Sequence, residues 1–196
     1  MLNIEDFLRK RKVRAMSGNP ENIITQVPGE RTLETQTKLD LATLHRKEAQ
    51  NALKMGQLNR GRTHIYEAQK QLDECPCEMR CVSVYNLDIA LEKIEVLGIK
   101  ADVLYTDRDF PIALATYRLA LQWTEAVYPG NERIIPTMLK IAKTLTHVDT
   151  ALGEADAEKA FEKTLQMAQE AHSCKSLQVD IYMRYAITPA CFFVRF

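Results

Sequence analysis

A register of small, bulky and small residues recurs along this chain and limits what it can fold into. Phe110, Ala113, Tyr117 and Ala120 stand at spacings of three, four and three. Leu58, Gly61, Ile65 and Ala68 repeat that spacing, and Glu154, Ala157, Phe161 and Thr164 follow it with polar residues at both ends. Twelve residues ahead of each first small position stand Ala49, Ala101 and Leu145. Such spacings hold four residues on one face of a helix. Where two antiparallel helices cross closely, a small residue on each lets the backbones approach, and a bulky one a turn away fills the neighbouring groove. One helix pair cannot bury its apolar face alone, so the register calls for pairs that stack. An irregular bundle of alanine-rich helices is the alternative, because it also places small residues three and four apart.

Helices account for most of the chain. Only 7 Gly and 7 Pro punctuate it, and the stretches between them are rich in Ala, Leu, Glu, Lys and Gln. The apolar periodicity predicts helices over Thr32 to Met55, stopped by Gly56, and over Leu58 to Cys75, stopped by Pro76. Further helices are expected over Val82 to Tyr105, Phe110 to Tyr128, Ile134 to Leu152, Glu154 to Ala171 and Leu177 to Ala186. Pro136 fits only the first turn of its helix, where no amide is missed. The expected fold is therefore all-α, antiparallel helix pairs stacked as a solenoid of about six to seven helices. Residues 1–31 read as a flexible basic N-terminal arm, 32–188 as the helical domain and 189–196 as a short apolar C-terminal tail.

Ala101 with Phe110, Ala113, Tyr117, Ala120 and Leu121 resembles the tetratricopeptide repeat, whose signature is small residues in both helices and an aromatic between two small positions of the second. Its copies here lie further apart than the roughly 34 residues of the standard repeat. Long-helix versions occur in kinesin light chains and in the C-terminal helical domain of SET- and MYND-containing methyltransferases. Ala126-Val127-Tyr128-Pro129-Gly130-Asn131 looks like the inter-repeat junction of both, although no SET segment is visible. The resemblance implies a non-enzymatic adaptor that holds a partner peptide or helix in a concave groove lined by the first helices. His45, Arg46, Glu48, Lys93, Lys100, Lys140, Lys143 and Thr144 are the outward-pointing candidates on that lining. The carboxylate-gripping Lys, Asn and Arg pattern of the chaperone-binding members is not reproduced. A different class of function, a subunit of a larger homo- or hetero-oligomeric assembly, fits the apolar tail Ala190 to Phe196, which carries three Phe.

Charge and chemistry narrow the rest. Basic and acidic residues number 26 each, so the chain as a whole has no electrostatic case for nucleic acid or an anionic membrane. Arg9, Lys10, Arg11, Lys12 and Arg14 are the local exception and read as a short nuclear-import signal or docking arm. With no apolar run near the roughly 20 residues that span a bilayer and no apolar core of a signal peptide, a cytoplasmic or nuclear location is expected. Cys75, Cys77 and Cys81 lie close in sequence, with His64 or Cys174 as a conceivable fourth zinc ligand. Their spacing matches no paired zinc motif, so free thiols, no metal and no cofactor are expected. His45, His64, His147 and His172 are scattered, and phosphate-cradling and nucleophile-elbow motifs are missing from the sequence.

Overall fold

The computed structural model describes residues 32–170 apart from residues 84, 130–131 and 149–150 and the side chains of residues 151, 152 and 154. The basic run Arg9 to Arg14, the expected helix over Leu177 to Ala186 and the tail at 189–196 lie outside the described residues. Six α-helices follow one another: α1 (Leu33–Lys54), α2 (Leu58–Asp73), α3 (Leu87–Thr106), α4 (Phe110–Val127), α5 (Ile135–Leu145) and α6 (Ala151–Glu170). Short 3-10 turns at Met79–Cys81 and Glu132–Ile134 precede α3 and α5. No strand occurs among the described residues.

Local chemistry sets these boundaries. The Thr32 hydroxyl accepts the Thr35 amide at 3.2 Å and caps α1, with Glu34 in the first turn where the helix dipole favours an anion. At the other end Gly56 takes φ +72°, its amide donates to the Leu53 carbonyl at 3.0 Å, and the Gln57 amide donates to Ala52 at 2.8 Å. That bond pair is the Schellman closure, for which glycine is the cheapest residue. The same closure ends α3, with the Arg108 amide on Tyr105 and the Asp109 amide on Leu104, yet Arg108 carries the positive φ of 64°. Pro111 and Pro136 both fall in first turns, as their missing amides require.

Three boundaries differ from the sequence expectation, one of them the start of α6 at Ala151, not Glu154. Helix α3 starts at Leu87, not Val82, because Asn86 bends the preceding loop: its side-chain oxygen accepts the Ser83 amide at 2.6 Å and its amide nitrogen donates to the Cys81 carbonyl at 3.2 Å. Helix α5 ends at Leu145, not Leu152. There His147 and Val148 donate back to the Thr144 and Leu145 carbonyls, three residues away, which tightens the backbone out of α-helix.

The pairs are antiparallel. Glu48 meets Arg60 near the α1–α2 turn, while Lys38 meets Glu74 at the far end. Tyr105 packs on Phe110 beside the α3–α4 turn, and Lys93 reaches Trp123 near its far end. Helix α3 also packs on α2, α5 on α4, and α1 directly on α3, so the pairs stack in chain order. Apolar clusters form accordingly. One joins α1 to α4 through Leu39, Leu72, Val96 and Trp123; another joins α3 to α6 through Ala101, Tyr117, Ile141 and Ala157.

The register residues occupy equivalent places in all three pairs. Ala49, Ala101 and Leu145 on the first helices are buried, as are Gly61, Ala113 and Ala157 opposite them. The bulky positions Ile65, Tyr117 and Phe161, and the closing positions Ala68, Ala120 and Thr164, are buried as well. Gly61 shows how close the approach is. A Cβ there would lie 2.8 Å from Leu53 Cδ2 and 2.9 Å from Leu53 Cγ, with the Ala49 carbonyl oxygen at 3.6 Å. Gly98, on α3, has nothing within 4 Å of such a carbon. We expect Gly61→Val to destabilise the fold by about 1–3 kcal/mol through overpacking. Gly98→Ala should stabilise it by roughly 0.5–1 kcal/mol, because only backbone freedom is lost. Urea unfolding midpoints of the two variants should move in opposite directions, and a shared direction would refute the packing assignment.

Candidate partner-binding face

The first helices α1, α3 and α5 lie in a row, and polar side chains bridge them. Between α1 and α3, Arg46 Nε donates to Glu92 Oε1 at 2.5 Å, with the two side chains only 16% and 11% exposed. Between α3 and α5, Lys140 Nζ donates to both Asp102 oxygens at 2.8 Å, and here each side chain is 45% exposed. Asp102 is the hub of this second bridge, since the Tyr117 hydroxyl donates to its Oδ1 at 2.5 Å from α4. Burial, then the hydrogen bond and charge of Asp102, hold the Tyr117 phenol well above its ordinary pKa.

An aromatic group continues the patch toward the α3–α4 turn. Phe110 and His147 stack at 4.8 Å, and Tyr105 stands edge-on to both, at 5.4 Å from Phe110 and 5.6 Å from His147. Lys143 Nζ lies 4.9 Å from the Tyr105 ring centre, and Lys140 lies 5.7 Å from that of Tyr117. Cations over ring faces keep most of their hydration when exposed, so they remain available to an incoming anion.

The residues expected from sequence are not all brought together. Lys140 and Lys143 share the exposed α3–α5 patch. Lys93 and Lys100 turn instead toward the second helices, Lys93 donating to the Cys77 carbonyl at 3.2 Å above Trp123 and Lys100 to Gln69 Oε1 on α2 at 2.9 Å. His45 faces α2, its Nδ1 3.2 Å from Nδ1 of His64, which requires that one ring donate and the other accept. Arg46 is committed to Glu92, and Glu48 to Arg60 at 3.4 Å. Thr144, expected to point outward, is fully buried. Its hydroxyl donates to the Lys140 carbonyl at 2.7 Å and so needs no water. Asp102, Tyr105 and the Tyr117 hydroxyl were missed by sequence reasoning, which counted Tyr117 only as bulk.

Cys75 and Cys77 are buried, their thiols donating to the Gln71 and Asn86 carbonyls at 3.3 and 3.7 Å, while Cys81 is exposed. Burial pushes the Cys77 thiol pKa up. Among the described residues no group of three or more His, Cys, Asp or Glu side chains is arranged to hold a metal ion, and no helix is long and apolar enough to cross a membrane. No protein-family model, curated protein or solved structure matches this chain.

The two bridges differ in consequence. Arg46→Met leaves the Glu92 carboxylate largely buried without its counter-charge, and should cost about 3 kcal/mol. Adding Glu92→Met should restore much of that loss, because two well-packed apolar side chains replace a desolvated pair. Chemical denaturation of the single and double variants checks this.

Tyr117 adds a pH signature. A folded pKa above the unfolded one, about 10, gives stability that is complete below that value and is lost as pH rises beyond it. Between pH 10 and the folded pKa the wild type should lose about 1.4 kcal/mol per pH unit from this group. Tyr117→Phe should remove that component of the slope, read from denaturation curves collected across the alkaline range.

Proposed function

We propose that this chain is a non-enzymatic adaptor of the tetratricopeptide type, holding an acidic peptide segment of another protein on the face of its first helices. The observation that carries this reading is the recurrence of one packing register at equivalent buried positions in three stacked pairs. Stacked pairs of this design leave a continuous face of first helices for recognition, and recognition is the use to which such faces are most often put. The assignment of function from architecture is an analogy, and the patch supplies the chemistry that makes it specific.

Lys140 and Lys143 carry that chemistry. Both ammonium groups belong to exposed residues on α5, and Tyr105 and Phe110 offer ring surface beside them. A peptide carboxylate would meet cations whose present partners are a half-exposed aspartate and a ring face, both inexpensive to exchange. Apolar residues flanking the carboxylate would find the aromatic group. Lys93 and Lys100 take no part, since their amines engage the second-helix side.

The test is binding of an acidic, aromatic-containing peptide library to the purified chain by fluorescence anisotropy. Lys143→Glu should weaken the selected peptides by on the order of tenfold or more, about 1.4 kcal/mol. Lys100→Glu should leave them unchanged, and both variants should keep the wild-type circular dichroism. Equal losses in the two variants, or none in Lys143→Glu, would reject the α3–α5 patch as the binding site.

A further inference from the structure

The outermost described helices differ in their exposed faces. On α6 the exposed side chains are mostly polar, among them Asp156, Lys159, Glu162, Lys163 and Gln166. At the α1 end Leu33, Leu41 and Leu44 are 84%, 40% and 55% exposed, and Met55 at the C-cap is 70% exposed. At 3.6 residues per turn the three leucines fall within an arc of about 80°. Leu33 and Leu44 lie across the helix from the buried Leu39, Ala42 and Ala49, while Leu41 stands at the edge of the packed face beside the buried Ala52. A terminal helix of a stack normally carries a polar outer face, and α1 carries an apolar one.

We propose that residues 2–8 of the same chain dock on this leucine face and close the stack, in the place a preceding second helix would take. Three observations select this occupant over a second copy. In the sequence Ile4, Phe7 and Leu8 stand at helical spacings of three and four, with Glu5, Asp6 and Arg9 between and beside them, a pattern that suits one leucine stripe. Residues 9–31 then lead back to the cap at Thr32. At up to about 3.3 Å per residue they outreach the 22-residue α1, which is about 33 Å long at 1.5 Å per residue. Tethering of this kind gives an effective concentration in the millimolar range, above that of a second copy in dilute solution.

Charge does not decide the docking. Asp40, Glu48 and Lys47 border the leucines, and Glu48 is already paired with Arg60, so the basic run Arg9 to Arg14 has little free acidic surface to seek there. The contact is apolar and should tolerate salt.

A photo-crosslinking residue, p-benzoylphenylalanine, placed at position 44 of the full chain tests this, with the same group at position 163 on α6 as the reference. The expected result is an adduct of monomer mass at low micromolar protein, mapped by mass spectrometry to residues 1–12, persisting at roughly 0.5 M salt, where the Debye length is only about 4 Å. Phe7→Glu with Leu8→Glu should abolish that adduct, and both changes fall outside the stack, so helicity should be kept. An adduct of dimer mass, an adduct to other parts of the chain, or none to residues 1–12 would overturn the proposal. The peptide-binding test above is independent of it, because Lys143 lies on the opposite end pair.

Discussion

The close crossing of paired helices at small residues is the constraint on which the remaining architecture rests. With a Cβ at Gly61 already in contact with Leu53, α1 and α2 have no room for a larger side chain at that level. The same crossing recurs where Ala101 faces α4 and where Ala157 faces α5. Bulky residues one turn on, Ile65, Tyr117 and Phe161, fill the groove that each crossing opens. Because the crossing is repeated rather than merely present, each pair offers its successor a similar surface, and stacking follows from geometry. Buried threonines extend the same economy. Thr116, Thr124, Thr144 and Thr164 each donate to the carbonyl four residues earlier, at 2.6 to 2.8 Å, so each occupies the core as a small apolar residue with its hydroxyl satisfied.

Apolar contact alone leaves neighbouring pairs free to slide, since dispersion and burial are not directional. The polar bridges between first helices supply direction. Arg46 and Glu92 fix α1 against α3 at one level, and Asp102 with Tyr117 ties α3 to α4 at another, with Lys140 of α5 on the exposed side of the carboxylate. Tyr117 links the two kinds of interaction, because its ring fills the crossing while its hydroxyl anchors the carboxylate that receives α5. Arg62 and Asp107 add a further tie between α2 and the end of α3.

Most of the fold was legible in the sequence because its determinants are local. Gly56, Pro76, Pro111 and Pro136 mark helix ends through backbone chemistry that requires no knowledge of neighbours, and the register residues report burial through periodicity. Two of the misjudged boundaries depend on groups acting outside their own periodicity. Asn86 folds back on the loop before α3, and at the end of α5 the His147 and Val148 amides turn to carbonyls three residues back. The proposed binding face was less legible for a related reason. Sequence reveals that Lys93, Lys100, Lys140 and Lys143 are polar positions on first helices, but not which neighbour each amine finds, and two of the four find the second-helix side. Asp102 could have been suspected from Tyr117, since a buried phenol needs a partner.

What a partner can exploit depends on how firmly each polar group is already held. Arg46 and Glu92 are almost enclosed, and drawing either away would strand a buried charge, so they serve stacking and not recognition. Lys140 and Asp102 are half exposed, a setting in which an ion pair is worth about 1 kcal/mol or less. Lys143 rests on a ring face with open water around it. The same distinction separates the two ends of the first-helix row. At the α1–α3 end the polar groups are spent on holding the stack, whereas at the α3–α5 end they are held loosely enough to be exchanged. On the proposed reading, a ligand carboxylate gains most, and disrupts least, where α5 meets α3.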